Sequence, residues 1–142
     1  MARILLIDDE ELVRETIKLQ LEIDGHEVTV AANGREGLKL FESAAFDLVI
    51  TDILMPEVEG IETLRKLQQM SPSIRIVAMT GGPKMPLGIN AVVEPDYLKM
   101  AKALGASRTI HKPFTGEQLR LLVRDCLRDG GSGSGFDSSR VG

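Results

Sequence analysis

Acidic residues follow two short apolar runs of the sequence. Asp8 and Asp9 come directly after the run at residues 3–7, and Asp52 comes shortly after the run at residues 48–50. Carboxylates that lie close together repel one another, and a hard divalent cation with oxygen ligands, such as Mg²⁺, relieves this repulsion. If the two runs are strands that end at the same edge of a sheet, the sequence predicts a magnesium site there.

Two further polar residues, Thr80 and Lys112, follow an apolar run at residues 74–79 and a more polar candidate strand, SRTIH, at residues 107–111. A carboxylate such as that of Asp52 can act as a nucleophile and form an aspartyl phosphate. A metal ion and a lysine offset the charge on the transferring phosphoryl group, and a hydroxyl can donate a hydrogen bond to one of its oxygens. The set therefore contains a candidate for every role in phosphoryl transfer to an aspartate.

Apolar runs alternate with segments of helical periodicity along the chain, and this alternation positions the candidate residues. Parallel strands need crossover connections, which are right-handed almost without exception, so the order predicts a doubly wound α/β fold with five parallel strands and five helices. In such sheets the ligand site lies beyond the carboxyl ends of the strands. We predict strands at about residues 3–7, 28–31, 47–51, 74–79 and 107–111, and helices at about residues 10–24, 34–43, 59–70, 94–104 and 116–128.

The length of 142 residues, with 43% hydrophobic and 27% charged residues, suits one globular domain. We place this domain at residues 1–129. Residues 130–142, GGSGSGFDSSRVG, are mostly Gly and Ser, and a segment of this composition behaves as a flexible linker. We interpret this tail as an artificial extension and exclude it from the fold.

Charge and hydropathy exclude several classes of partner and site. The sequence has no uninterrupted apolar stretch of about eighteen residues and no secretory signal, so we expect a cytoplasmic protein without a membrane partner. The net charge is -4, whereas a nucleic-acid binder needs Lys and Arg to neutralise phosphates. We therefore expect no nucleic-acid partner.

Four motifs occur in order at the predicted strand ends: IDDE, TDILMPEVEG, MTG and HKPF. Together they resemble the bacterial response-regulator receiver family of two-component systems, and the resemblance spans residues 1 to about 128. It implies the flavodoxin-like strand order 2-1-3-4-5.

The resemblance also implies the metal ligands. Asp9 and Asp52 would be direct ligands of Mg²⁺ together with the backbone carbonyl of Leu54, and Asp8 would act through a water molecule.

The same resemblance implies the function. Asp52 would be the phosphoacceptor, and Lys112 and Thr80 would contact the phosphoryl group. The partner would be a histidine kinase or a histidine-phosphotransfer protein, with an unknown downstream protein target. Such a domain is a phosphorylation-activated signalling switch and is not a turnover enzyme, since it catalyses only its own phosphorylation and dephosphorylation.

The sequence departs from the family pattern at two places. Thirty-two positions separate Thr80 from Lys112, roughly ten more than the resemblance leads us to expect. The excess falls in residues 81–93, and we predict that this apolar, Gly- and Pro-containing loop and the helix after it form the phosphorylation-sensitive output surface. The alternative is that the loop is a rigid lid. In addition, Thr109 stands where many relatives carry Tyr or Phe.

The sequence also bears on three other functions. A phosphorelay intermediate, which passes its phosphoryl group to a histidine-phosphotransfer protein, fits the sequence as well as a switch does. A flavodoxin-like cofactor module would need a first loop rich in Ser, Thr and Gly, and here this loop contains Asp8 and Asp9. An Asp-nucleophile phosphohydrolase would need an acidic residue two positions after Asp52, and this position is Leu54. Taken alone, Asp8 could cap a helix and Asp52 could lie in a turn.

Overall fold

The computed structural model describes residues 2–53, 59–81, 103 and 105–133. Within these residues the predicted strands form one parallel sheet, with its strands in the order β2-β1-β3-β4-β5. The doubly wound fold and its strand order are therefore confirmed. The strands are β1 (Arg3–Ile7), β2 (Glu27–Ala31), β3 (Leu48–Asp52), β4 (Arg75–Gly81) and β5 (Arg108–Lys112).

Four helices lie within the described part of the chain: α1 (Glu11–Ile23), α2 (Gly34–Ser43), α3 (Glu59–Met70) and α4 (Gly116–Gly133). The predicted helix at residues 94–104 falls almost wholly outside the described residues, as do Pro56 and the loop at residues 82–93. The last helix ends at Gly133, later than the predicted end near residue 128. A helix that is already formed adds each further residue at little cost, so one more turn follows the packed part of the helix.

The sheet is buried on both faces. Alternate residues of β1 point to opposite sides, and all four from Ile4 to Ile7 are completely buried. Ile4 and Leu6 belong to a core cluster that includes Ile17 of α1 and Leu119 of α4. On the other face, the core contains the following buried residues of β1, β3, β4 and α3: Leu5, Ile7, Val49, Ile76, Leu64 and Leu67. These two layers hold the carboxyl ends of the strands at one edge.

Side chains cap the starts of two helices. The Asn33 side chain accepts a hydrogen bond from the Glu36 amide at 2.8 Å, at the start of α2. The Thr115 hydroxyl accepts a hydrogen bond from the Gln118 amide at 3.0 Å, and the Gln118 side chain accepts one from the Thr115 amide. Such reciprocal bonds satisfy amides that a helix start otherwise leaves without partners.

Candidate functional site

The candidate residues meet at the carboxyl edge of the sheet. Asp8 directly follows β1, Asp52 is the last residue of β3, Thr80 is the penultimate residue of β4, and Lys112 is the last residue of β5. The parallel register brings these strand ends to within two positions of one another, with Asp52 opposite Met79 and Gly81 opposite Lys112. The topology therefore joins residues that are far apart in sequence, as the motif order predicts.

The Lys112 ammonium lies between two carboxylates. Its Nζ donates a hydrogen bond to Asp8 Oδ2 at 2.9 Å and another to Asp52 Oδ2 at 2.8 Å. Asp8 and Asp52 are completely buried, and the Lys112 side chain is nearly so. Buried charges are tolerated when they are paired and hydrogen-bonded, so the lysine is the counterion of this pocket.

Three carboxylates converge at the same place. One oxygen from each of Asp8, Asp9 and Asp52 lies within 4.8 Å of the others, and Asp9 reaches solvent while the other two are buried. Carboxylate oxygens are the ligands that Mg²⁺ prefers, and the ion retains several waters, so a cluster with one side open to solvent suits it. The cluster therefore fits a magnesium ion, although the Leu54 carbonyl that the resemblance adds lies outside the described residues.

Comparison with known proteins agrees with this geometry. The family model of the response regulator receiver domain matches residues 4–124. The chain belongs to the response-regulator receiver family. Domains of this family serve two-component signalling, and the acidic cluster lies where such a domain would bind its ion.

One curated relative is similar to this chain over most of the chain's length. YkoG of Bacillus subtilis, an uncharacterized transcriptional regulatory protein, is 30% identical over 129 residues, which are 91% of this chain and 52% of that protein. The chain therefore spans about half the length of this curated relative.

Two solved structures resemble the whole domain. A receiver domain protein of Clostridium thermocellum gives a TM-score of 0.79 at 32% identity and covers 92% of this chain and 98% of its own. A CheY-like receiver domain protein of Methanospirillum hungatei gives a TM-score of 0.79 at 29% identity and covers 92% of this chain and 97% of its own.

The pKa of Lys112 reflects two opposing effects in the receiver domain. Burial lowers the pKa of the ammonium, but the charges and hydrogen bonds of Asp52 and Asp8 together outweigh burial and raise this pKa above its ordinary value. Lys112 consequently stays protonated throughout the neutral range and presents a permanent positive charge to anything that reaches Asp52.

The first loop holds Asp8 in place through both its side chain and its backbone. Asp8 Oδ1 accepts a hydrogen bond from the Glu10 amide at 2.9 Å, and the Asp8 carbonyl accepts one from Arg14 Nη1 at 3.0 Å. Sequence reasoning missed Arg14. It lies one helical turn after Glu10 and so on the same side of α1, a spacing that could have indicated its approach to the loop.

Thr80 is completely buried at the same edge of the receiver domain. It pairs with His111 across the last two strands, one position before the level of Lys112. The predicted contact of Thr80 with a phosphoryl group remains a prediction.

Proposed function

We propose that the receiver domain is a phosphorylation switch in which Asp52 accepts a phosphoryl group from a histidine kinase or a histidine-phosphotransfer protein. In this proposal the domain acts in the cytoplasm, catalyses only its own phosphorylation and dephosphorylation, and changes a surface that a downstream protein recognises. The observation that carries the proposal is the buried Asp52 carboxylate, which is held by Lys112 at 2.8 Å within a cluster suited to a divalent cation.

The chemistry follows from the roles of the side chains. An Asp52 oxygen attacks the phosphorus, and the bond from phosphorus to the donor histidine nitrogen breaks with its electron pair on the nitrogen. Asp8, Asp9 and Asp52 would hold Mg²⁺, which supplies positive charge against the transferring group when bound. The Lys112 ammonium offsets the charge on one oxygen of the phosphoryl group. The Thr80 hydroxyl donates a hydrogen bond to another of its oxygens.

Intact mass after incubation with Mg²⁺ and phosphoramidate tests the assignment of Asp52. The parent chain should gain one phosphoryl group, and Asp52→Asn should gain none because the amide is a poor nucleophile. Asp47→Asn is a matched control, since it removes the same charge from the residue directly before the first residue of β3. Labelling of Asp52→Asn at the parent's rate would show that the acceptor is another residue.

An exposed apolar stripe on α1 supports a protein as the phosphodonor. Leu12, Leu19 and Ile23 are 80%, 60% and 70% exposed, and their spacing places them on one side of the helix. The stripe begins three positions after Asp9, at the edge where a donor must approach Asp52. Large apolar side chains grouped at the surface mark interaction sites, so we place the contact with the donor protein on this stripe.

Replacing two residues of this stripe separates docking from chemistry. Leu12→Ser with Leu19→Ser should slow phosphoryl transfer from a phosphorylated histidine-phosphotransfer protein by at least about ten-fold, the effect of losing two apolar contacts at an interface. Labelling by phosphoramidate, which needs no docking surface, should be unchanged. If the variant accepts the phosphoryl group from the histidine-phosphotransfer protein as fast as the parent does, and is labelled by phosphoramidate as fast as well, α1 is not part of the donor interface.

A further inference from the structure

Glu10 is a carboxylate close to the pocket that the proposed reaction does not use. Its Oε1 atom lies 3.8 Å from Lys112 Nζ, which is an ion-pair distance but too long for a hydrogen bond. The Glu10 side chain is 28% exposed overall, yet Oε1 itself is buried and accepts no hydrogen bond from any described residue. A buried oxygen without a hydrogen bond is costly, so its position beside an ammonium needs an explanation.

The hydrogen bonds from Lys112 to its two carboxylate partners engage two of its N–H groups and leave a third. A lysine ammonium carries three N–H groups, and Asp8 and Asp52 accept two of them. A divalent cation bound by the acidic cluster would compete with Lys112 for the same two carboxylates. The ammonium would then have to shift, and Glu10 Oε1 is the nearby buried acceptor that such a shift would reach.

We propose that Glu10 is a positioning residue that accepts the Lys112 ammonium when a divalent cation draws Asp8 and Asp52 away from it. This inference rests on the proposed function, because it assumes that the acidic cluster binds Mg²⁺. Glu10 then stabilises the metal-bound state more than the metal-free state, in which Lys112 already has two carboxylate partners. The side chain consequently strengthens magnesium binding without being a ligand.

Calorimetric titration of the full chain with Mg²⁺ tests this inference. Glu10→Gln should weaken magnesium binding by about three- to ten-fold, the effect expected for one charge a few ångströms from a partly buried ammonium. Glu11→Gln is the matched control, because it removes the same charge from an exposed side chain one position further on. The control should change the affinity by less than about two-fold. Equal affinities of Glu10→Gln and the parent would overturn the inference.

A double-mutant cycle with Lys112→Met distinguishes action through the lysine from a direct effect on the ion. Without the ammonium Glu10 has nothing to accept, so Glu10→Gln should then change magnesium affinity by less than about two-fold. An undiminished loss in the Lys112→Met background would show that Glu10 acts on the ion itself, and the proposed positioning role would be wrong.

Thermal unfolding gives a second readout that does not depend on phosphorylation. The melting temperature of Glu10→Gln should match that of the parent in chelator and fall below it at saturating Mg²⁺, because stabilisation by a ligand grows with the logarithm of its affinity for the folded state. A parent chain that binds no Mg²⁺ would refute the metal site of the proposed function. A parent that binds Mg²⁺ as tightly as Glu10→Gln would refute only the role of Glu10.

Discussion

At the scale of single residues, Lys112 is the charge that makes the buried pocket stable. Asp8 and Asp52 are fully buried, and both bond to its ammonium. Removing one partner from a buried ion pair leaves the other charge without compensation, which costs far more than losing an exposed pair. The lysine thus has a structural role before any phosphoryl group arrives.

We expect Lys112→Met to lower the free energy of unfolding by about 3 kcal/mol at neutral pH in chelator. Lys18→Met is the control, since Lys18 pairs with Glu22 at 3.1 Å on the surface of α1 and should cost less than about 1 kcal/mol. Urea unfolding of both variants measures the difference. Similar losses for the two would show that the buried carboxylates need no ammonium.

His26 gives a pH dependence of its own. Its Nδ1 accepts a hydrogen bond from the Ala2 amide at 3.1 Å. Burial lowers the pKa of the imidazole, the amino terminus lowers it further, and Asp24 opposes both. As the pH falls below about 6.5, the imidazole therefore takes up a proton in the unfolded chain before it does so in the folded chain. The contribution of His26 to the free energy of unfolding is fully present above this pH and is lost as the pH drops through it.

His26→Asn keeps an acceptor near the position of Nδ1 and removes the titration. Urea unfolding between about pH 7.5 and 5.5 should show a shallower loss of stability for this variant than for the parent. Identical slopes for both proteins would mean that His26 does not contribute to the acid sensitivity of the fold.

At the scale of elements, Gly60 lets α3 pack directly on the end of β3. A Cβ at position 60 would overlap the backbone of Ile53, the residue after Asp52. Glycine is required here because the helix approaches the strand backbone too closely for any side chain. The contact ties the position of a helix to the position of the acceptor carboxylate.

Gly60→Ala should destabilise the domain by about 1–3 kcal/mol, because overlap with backbone outweighs the roughly 1 kcal/mol that alanine gains over glycine in a helix. Gly37→Ala on α2 is the comparison, since its Cβ would overlap only the side chain of Ile7 and would meet Ala31 at an ordinary contact distance of 3.7 Å. A side chain can change rotamer and a backbone cannot, so the Gly37→Ala loss should be smaller. Unfolding free energies that rank the other way would contradict this reading of Gly60.

At the scale of the whole molecule, the sequence predicted the sheet and the place of the site because both depend on local signals. Apolar runs mark most of the strands, and polar residues follow their ends, so the sequence alone places Asp8, Asp52 and Lys112 at one edge of the sheet. The 3.8 Å approach of Glu10 to Lys112 could not be predicted in this way. It depends on side-chain packing between residues that are distant in sequence, and periodicity carries no information about such packing.

The domain boundary is a further prediction at this scale. Within residues 116–128 of α4, for which side-chain burial is described, the buried residues are Leu119, Val123 and Cys126, and a chain that ends at residue 129 retains these three. We expect truncation there to lower the melting temperature by less than about 2 °C, the effect of a change well below 1 kcal/mol. Truncation after residue 122 is the control and should unfold the domain, because it removes Val123 and Cys126. A large loss after residue 129 would extend the domain into the tail.

The hydrogen bond between Lys112 and Asp8 joins positions 104 apart in the chain. Loop closure makes contacts of such sequence separation slow to form, and during synthesis the amino-terminal strands emerge long before Lys112 does. A nascent chain that has already folded β1 to β3 would hold its carboxylates together without their ammonium and would be strained by their repulsion. In the absence of a divalent cation, we therefore expect these carboxylates to gain their counterion only when β5 joins the sheet.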